Sequence, residues 1–488
     1  MTDSLSATPI LDAVEALRST TVDLDRGETV TADELRRASH GLTAKFTAGG
    51  LRRGDRAVMA IGNGPLFLAT LSAVLRAGGS PIPLHADTPP PELARAAQRY
   101  GARFAVADAL AADGLEAVSF RAREFAGSPP WAAGVWADAG TPDHDESSPL
   151  AGVPLHPTSG TTGEPKLAAR PAAAALAEAE HYIETMEIGA TDSILCTIPM
   201  SHAYGFGMCV MVPLLSGATV RSMRRVGAGD VLDVLAGDGV TIYPTTAATL
   251  DLLLLTGAGE PLAVPRCITT AGAPLPERVA TTVRERCGAT VHPLYGTTET
   301  GGIAVQYPGG GDGSVGAVGP PMAGVSVRLR PLATPEPASR DDVEQLWVTS
   351  SSMMAGYVRA AHLDRSPVAE GWFNTGDLAR LDDRGTIILR GRTSEVINVS
   401  GNKVLPTEVE EVISLLPGVL EVKVYGARNP LGSHSVKAAV VAGDALSERD
   451  VRAHCKSHLV AYKRPVRVHM LERLPRSPAG KIVASQLP

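Results

Sequence analysis

The chain is poor in aromatic residues, in cysteine and in lysine. Phe, Tyr and Trp together make up 4% of its 488 residues, so its interior must be built mainly from aliphatic side chains. Its five cysteines (Cys196, Cys209, Cys267, Cys287 and Cys455) form no CxxC and no paired spacing. That argues against a zinc ribbon or a disulfide framework, and buried free thiols fit a reducing, cytoplasmic location. Of 45 basic residues only Lys45, Lys166, Lys403, Lys423, Lys437, Lys456, Lys463 and Lys481 are lysine; the others are arginine. Acids outnumber bases, 52 to 45, for a net charge of −7. No excess of positive charge is available to coat a nucleic acid or to form a polybasic membrane anchor. The segment Met1–Ile10 is polar and carries Asp3, so no secretory signal is expected. One stretch, Ser193–Val220, lacks Asp, Glu, Lys and Arg and is long enough to span a bilayer. Pro199, His202 and Pro213 interrupt it, and no basic or aromatic belt flanks it. It reads as a buried strand, loop and helix.

Apolar residues at 44% and charged residues at 20% are enough for a large core and exclude a disordered or fibrous chain. The length allows two to four domains. Short β-rich runs (Val153–Pro157, Ile194–Pro199, Thr241–Pro244, Cys267–Ala271, Thr290–Leu294) alternate with helical stretches (Pro171–Glu187, Ala247–Leu255, Leu275–Cys287). Such alternation predicts α/β layers with ligands at the C-terminal ends of the strands. Gly309–Gly313 and Ala333–Ser339 read as loops, and Asp382–Gly385 as a hairpin turn. After about Gly391 the texture changes. A helix opening at Leu405–Glu408, strands at Glu421–Tyr425 and Ser435–Val441, a helix at Ser447–His458 and a strand at Val466–Leu471 form a small α+β module. The expected division is residues 1–391 and 392–488. No internal repeat is visible.

The segment richest in chemistry is Thr158-Ser159-Gly160-Thr161-Thr162-Gly163-Glu164-Pro165-Lys166. Four hydroxyls, mobile glycines and one ammonium make an anion cradle suited to a polyphosphate. It is not a Walker A loop. Pro165 precedes the lysine and Leu167 follows it, so no hydroxyl stands ready for magnesium and the helical entry is disfavoured.

This loop resembles the phosphate loop of the adenylate-forming superfamily, which includes acyl- and aryl-CoA synthetases, peptide-synthetase adenylation domains and firefly-type luciferases. Further segments resemble that family's signatures in the family's order: Tyr295-Gly-Thr-Thr-Glu-Thr300, Asn374-Thr-Gly-Asp377-Leu, Gly391-Arg392 with Gly401 and Pro406–Glu410, and Pro475–Lys481. Gly54-Asp55-Arg56 and Ala77–Pro83 match more loosely. The resemblance covers almost the whole chain. It implies a large N-terminal adenylate-forming domain of layered α/β subdomains and a small mobile α+β C-terminal domain. It also implies a two-step reaction. A carboxylate attacks the α-phosphate of ATP and releases pyrophosphate; a thiol of CoA, or of a carrier-protein phosphopantetheine, then displaces AMP.

The resemblance assigns roles to particular residues. Thr158, Ser159, Gly160, Thr161, Thr162, Gly163 and Lys166 would hold the β- and γ-phosphates. Glu299, with Thr298 beside it, would hold Mg²⁺, a hard cation that takes oxygen ligands. Tyr295 would stack on adenine opposite the Gly272-Ala273-Pro274 backbone, with Gly296 and Thr297 adjoining the nucleotide. Asp377 would accept hydrogen bonds from the ribose, and Arg392 would add a donor. Lys481 would neutralise the approach of carboxylate to triphosphate. The small domain would turn about Ser394, with Ser400 and Gly401 facing the thiol tunnel in the second step.

Several positions depart from the family pattern. The hinge carries Ser394 where Asp or Lys is usual. The glycine commonly found before the Glu344–Trp347 strand is replaced. Pro293 stands where an amide or acid often meets the adenine amino group, leaving His292 or a backbone carbonyl to serve.

For the acid, the resemblance points to Tyr204, Phe206, Gly207, Thr245, Gly301, Gly302 and Ile303, with Met208 and Met211 nearby and His202 as gate beside the carboxylate. Tyr204 stands where peptide-synthetase domains place an aspartate for the substrate's ammonium. An α-amino acid would leave its ammonium unpaired in an apolar site, at a large cost. The expected substrate is an aryl or apolar carboxylic acid. Three readings follow: a CoA ligase; a stand-alone enzyme loading an acyl carrier protein; and a non-catalytic nucleotide-binding relative. Arg464, Arg467, Arg473 and Arg476 suit either the 3′-phosphate of CoA or an acidic carrier protein.

Overall fold

Six short β-rich segments run parallel in the centre of the chain's largest sheet. In a computed structural model, Val291–Thr297, Cys267–Thr270, Ile242–Thr245, Ser193–Cys196, Thr219–Ser222 and Thr21–Asp23 lie side by side in that order. Gly301–Val305 and Glu28–Val30 close the two edges antiparallel. The structure describes residues 6–108, 121–125, 130–132, 134–138, 150–158, 166–237, 239–256, 265–309, 316–331, 343–359, 362–399, 402–428, 434–443, 446–476 and 482–488. The predicted strands and helices all form within a few residues of their expected bounds. Their near-continuous apolar character is the mark of parallel strands covered on both faces. The expected loops 310–313 and 333–339 fall outside the described residues.

Helix Ala172–Met186 covers one face of this sheet. Its alanines let it pack closely, and it stops at Glu187, whose φ of 52° is left-handed. Ser193–Val220 is a buried strand followed by helical turns, as expected, and among the described residues no helix is long and apolar enough to cross a membrane. Within it Gly207–Met211 forms a π-helical turn, a local widening that often marks functional sites.

A second sheet, Ser80–Leu84, Arg56–Ala60, Phe104–Ala107, Gly134–Asp138 and Arg121–Phe125, packs beside the first. Asn63 joins the two regions. Its amide donates to the carbonyls of Ile198 (3.1 Å) and Met223 (3.0 Å), and its Oδ1 accepts from Met200 N–H (2.8 Å). This fixes the turn that leads to His202. A third group of strands, Val325–Arg330, Glu344–Ser350, Trp372–Leu381, Ile387–Arg392 and Ala317–Gly319, is mainly antiparallel. The hairpin turn at Asp382–Gly385 is present and closed by Asp382.

Beyond Arg392 come the strands Val419–Arg428, His434–Ala442 and Arg467–Met470, with helices Pro406–Ser414 and Glu448–His458. They enclose their own cluster of Ile397, Val404, Val409, Ile413, Val424, Val436 and Val451. Arg390, before this unit, pairs with Glu411 inside it, and Thr407 Oγ1 donates to the Arg390 carbonyl at 2.6 Å.

Candidate active site

The parallel strands end on one edge of the large sheet. Thr245, the turn Ala271–Pro274 and the segment Tyr295–Glu299 lie at or just beyond the C-terminal ends of three neighbouring strands. Gly272, exposed with φ +88°, makes the turn between them. This is where an open α/β sheet presents its crevice.

Tyr295 leaves its strand toward the third sheet. Its hydroxyl donates to Asp377 Oδ2 at 2.5 Å, and Arg392 Nε donates to Asp377 Oδ1 at 2.6 Å. Asp377 and Arg392 face each other across an antiparallel pair of strands. Thr375 Oγ1 also accepts from Asp377 N–H at 3.0 Å, which sets the turn. Burial first, then the charge on Asp377, pushes the Tyr295 phenol well above its usual range, so it remains a donor.

The phosphate-type loop is the connection of a β-hairpin. Leu155–Pro157 pairs antiparallel with Leu167–Ala169, and Thr158 N–H donates to the Lys166 carbonyl at 2.8 Å, closing the loop's base. Ser159, Gly160, Thr161, Thr162 and Gly163 lie outside the described residues. Lys166 places its Nζ 4.8 Å from the centre of the Tyr357 ring. The Tyr357 hydroxyl donates to Glu299 Oε1 at 2.6 Å. Glu299's other oxygen has no hydrogen bond among the described residues. A half-buried carboxylate held by one oxygen is a fitting ligand for a hard divalent ion. Thr297 and Thr300 brace the intervening turn through their hydroxyls, at 3.0 Å, while Thr298 is half-buried within it.

The expected acid-pocket residues fall into two groups. Tyr204 is half-buried, with its hydroxyl on Thr269 Oγ1 at 2.7 Å. Thr245 is buried, and Gly207, Gly301 and Gly302 are buried glycines. His202 is exposed at the start of the helix Ala203–Phe206. Phe206, Met208, Met211 and Ile303 are instead fully buried. Phe206 meets the ring of His156 edge-on at 4.6 Å. Phe206, Met208 and Met211 are core because the helical turns after Tyr204 point them into the molecule, and Ile303 is core because it lies on the buried edge strand Gly301–Val305.

The alternatives offered for the Pro293 position each have a partner in the fold. His292 is 5% exposed, with Nδ1 on the Gln306 carbonyl at 2.6 Å, and Pro293's carbonyl accepts from Gln306 N–H at 3.0 Å. Each of these atoms makes one hydrogen bond to Gln306, which directly follows the edge strand of the sheet. Ser394 is exposed in a 3₁₀ turn, next to Thr393, whose hydroxyl donates to the Gly376 carbonyl. Ser400, Gly401 and Lys481 lie outside the described residues. Of the four arginines, Arg467 and Arg473 are exposed, Arg464 donates to the Leu459 carbonyl, and Arg476 pairs with Glu421.

Sequence reasoning passed over Tyr357, Asn63 and the buried pair Arg170–Glu178. Tyr357 had one signal, an aromatic residue directly after a glycine in the short strand Gly356–Arg359. The others act through distant backbone and leave no local pattern.

Residues 12–358 match the family model for the AMP-binding enzyme, and residues 408–481 match that for the AMP-binding enzyme C-terminal domain. The chain is 31% identical to the sulfoacetate–CoA ligase of Cupriavidus necator over 350 residues, covering 70% of this chain and 68% of that protein. It is 27% identical to 4-coumarate–CoA ligase 1 of Oryza sativa subsp. japonica over 506 residues, covering 97% and 89%. Its fold is like that of ATP-bound MatB from Rhodopseudomonas palustris, with a TM-score of 0.82 and 24% identity over 98% of this chain and 97% of that chain. On these grounds the chain belongs to the AMP-binding enzyme family.

Proposed function

We propose that this enzyme activates an aryl or apolar carboxylic acid with ATP and transfers the acyl group to CoA. One observation carries the reading: two elements of the site close across large sequence distances. Tyr295 bonds to Asp377, which Arg392 also holds, and four residues beyond Tyr295, Glu299 meets Lys166 through Tyr357. A ribose-accepting carboxylate thereby adjoins an ammonium and a carboxylate suited to phosphate and cation. Relatives across most of this length are CoA ligases, which supports the choice of acceptor.

In this reading the acid's carboxylate oxygen attacks the α-phosphorus, and the bond to the bridging oxygen of pyrophosphate breaks. Lys166 and the hydroxyls of residues 158–162 take up the charge of the leaving group, since phosphoryl transfer depends on alignment and charge neutralisation. Mg²⁺, when bound, adds cationic charge at the phosphates. Glu299 is the residue that would hold it, and one carboxylate plus phosphate oxygens is an ordinary magnesium environment. Lys481 would offset the repulsion between the two reacting anions. In the second step the thiolate sulfur bonds to the acyl carbon and AMP leaves with the mixed-anhydride oxygen. The small unit 392–488 turns between the steps about Ser394, bringing Ser400 and Gly401 to the thiol.

Tyr204, Gly207, Thr245, Gly301 and Gly302 offer no carboxylate to an α-ammonium. The nearby acid Glu178 is already matched by Arg170. An unpaired ammonium there is costly, which favours acids without one.

The test is acid-dependent exchange of labelled pyrophosphate into ATP across a panel of aryl and alkyl acids, followed by product analysis with CoA or with holo carrier protein. Exchange followed by a CoA ester supports the proposal. Acylated carrier protein without CoA ester replaces the acceptor, and no exchange with any acid overturns the reading. Lys481→Ala should abolish most exchange while preformed adenylate still yields thioester.

A further inference from the structure

Beneath the glycine-lined wall lies a buried ion pair that none of the mechanism uses. Arg170 Nη2 donates to Glu178 Oε2 at 2.8 Å, and the two side chains are 0% and 1% exposed. Arg170 directly follows the strand that begins next to Lys166, and Glu178 lies on helix Ala172–Met186. The second Glu178 oxygen accepts from Gly302 N–H at 3.1 Å and from the Tyr182 hydroxyl at 3.2 Å. Arg170 Nη2 also donates to the Ser352 carbonyl at 3.2 Å, and Ser352 Oγ donates to the Thr300 carbonyl at 2.6 Å. The turn that carries Glu299 is therefore held from both sides by groups that reach back to Arg170.

Three glycines show how tightly the carboxylate is enclosed. A Cβ on Gly301 would lie 2.6 Å from the Glu178 carboxyl carbon, and one on Gly207 would lie 2.9 Å from its Oε1. On Gly302 it would lie 2.6 Å from the Tyr182 hydroxyl. Gly301 also has φ +73°, a conformation open to glycine. Backbone thus sits directly on Glu178 and Tyr182, with no side chain between to absorb a shift. Any displacement of the carboxylate moves residues 301–302 themselves. Burial, reinforced by the Glu178 charge, holds the Tyr182 phenol in its neutral, donating form.

We propose that Glu178, with Arg170 as its counter-charge, is a positioning residue that sets the Gly301–Gly302 backbone, and with it the acid-facing wall. The role at the acid rests on the reading given under Proposed function; the bracket itself does not. Neither side chain touches the nucleotide arm of Tyr295, Asp377 and Arg392, so the two halves of the site should respond separately.

The test uses the full-length double variant Arg170→Met/Glu178→Gln. It keeps both side-chain volumes and removes both charges together, because a single substitution strands one buried charge and endangers folding. Two measurements decide. Hydrogen exchange at the Gly302 amide should quicken by about tenfold or more as its acceptor loses charge. Where the wild type exchanges pyrophosphate with an acid, the acid KM should rise by about tenfold while the AMP dissociation constant stays within about twofold. A merely structural role would weaken AMP and acid alike, and that result overturns the positioning role. Unchanged Gly302 protection overturns the bracket. If no acid supports exchange in the wild type while Gly302 protection still falls, the proposed function fails and the bracket stands.

Discussion

The Tyr295 hydroxyl and the Asp377 carboxylate, 82 residues apart, are joined by a 2.5 Å hydrogen bond that ties the large parallel sheet to the antiparallel one. Arg392 holds the other oxygen. Asp377→Ala removes the acceptor offered to a ribose, and hydrogen bonds to a charged group are worth about 1.5–3 kcal/mol. AMP affinity should fall by about 10- to 100-fold in calorimetry. Tyr295→Phe keeps the ring and loses only the bond that orients Asp377, so the fall should be smaller, about three- to tenfold. Because Tyr295 titrates well above the usual phenol range, both proteins should give the same pH profile for AMP binding between about pH 6 and 9.5. A tyrosine-like inflection lost in the phenylalanine variant would contradict this placement.

Tyr357 lies between two opposite charges and serves each with a different part. Its hydroxyl bonds to Glu299 and its ring faces Lys166. Tyr357→Phe should lower pyrophosphate exchange by about three- to tenfold through the loss of one charge-assisted bond. Tyr357→Ala also removes the ring, and a cation–π contact of about 0.5–1 kcal/mol adds a further two- to fivefold loss. Equal activity in the two variants would show that the ring does not place Lys166.

The elements that could be read from the sequence are those whose cause is local. Strands such as Cys267–Thr270 declare themselves by an apolar, β-branched run between turn residues, and the loop at Thr158–Lys166 by its density of hydroxyl and glycine. Phe206 could not be assigned this way. On a helix, one step of 100° separates a wall residue from a core residue, and which face turns inward depends on what packs against it. The burial of His292 is hidden for a similar reason: its partner, the Gln306 carbonyl, arrives from beyond the next strand. Arg170 and Glu178 look like ordinary surface charges in the sequence. Their burial emerges only in the fold, where both side chains are almost fully enclosed and Gly207 and Gly301 close over Glu178.

His156 makes stability depend on pH. It is fully buried with neither ring nitrogen hydrogen-bonded among the described residues, and burial, with the nearby Arg170 charge, lowers its pKa to about 3. The folded state binds its proton less readily than the unfolded chain does, near pH 6.5. Its contribution is therefore fully present above about pH 6.5 and is lost progressively as pH falls toward 3. Between about pH 7.5 and 5.5 this one site should remove about 1 kcal/mol of unfolding free energy. His156→Met should recover that amount in urea titrations at the two pH values. Asp192, lowered to about 2 by Arg266 and its hydrogen bonds against the opposing effect of burial, loses its contribution only below about pH 4 and does not interfere. An equal pH dependence in the variant would assign the effect to His181 or His292, whose pKa values are also lowered by burial.

The contact between Arg390 and Glu411 joins the last strand before the small unit to that unit's first helix. Thr407 adds a hydrogen bond to the Arg390 carbonyl. If the unit beyond Arg392 turns between half-reactions, this pair belongs to one orientation and must break to reach the other. The Glu411 side chain is 37% exposed, so solvent screening limits the pair to about 0.2–1 kcal/mol. Glu411→Gln should therefore shift the balance of orientations by no more than about fivefold. Measured separately, adenylate formation and thioester formation from preformed adenylate should move in opposite directions by that factor, with melting temperature nearly unchanged. A uniform slowing of both steps would show that the pair supports the fold and not one orientation of it.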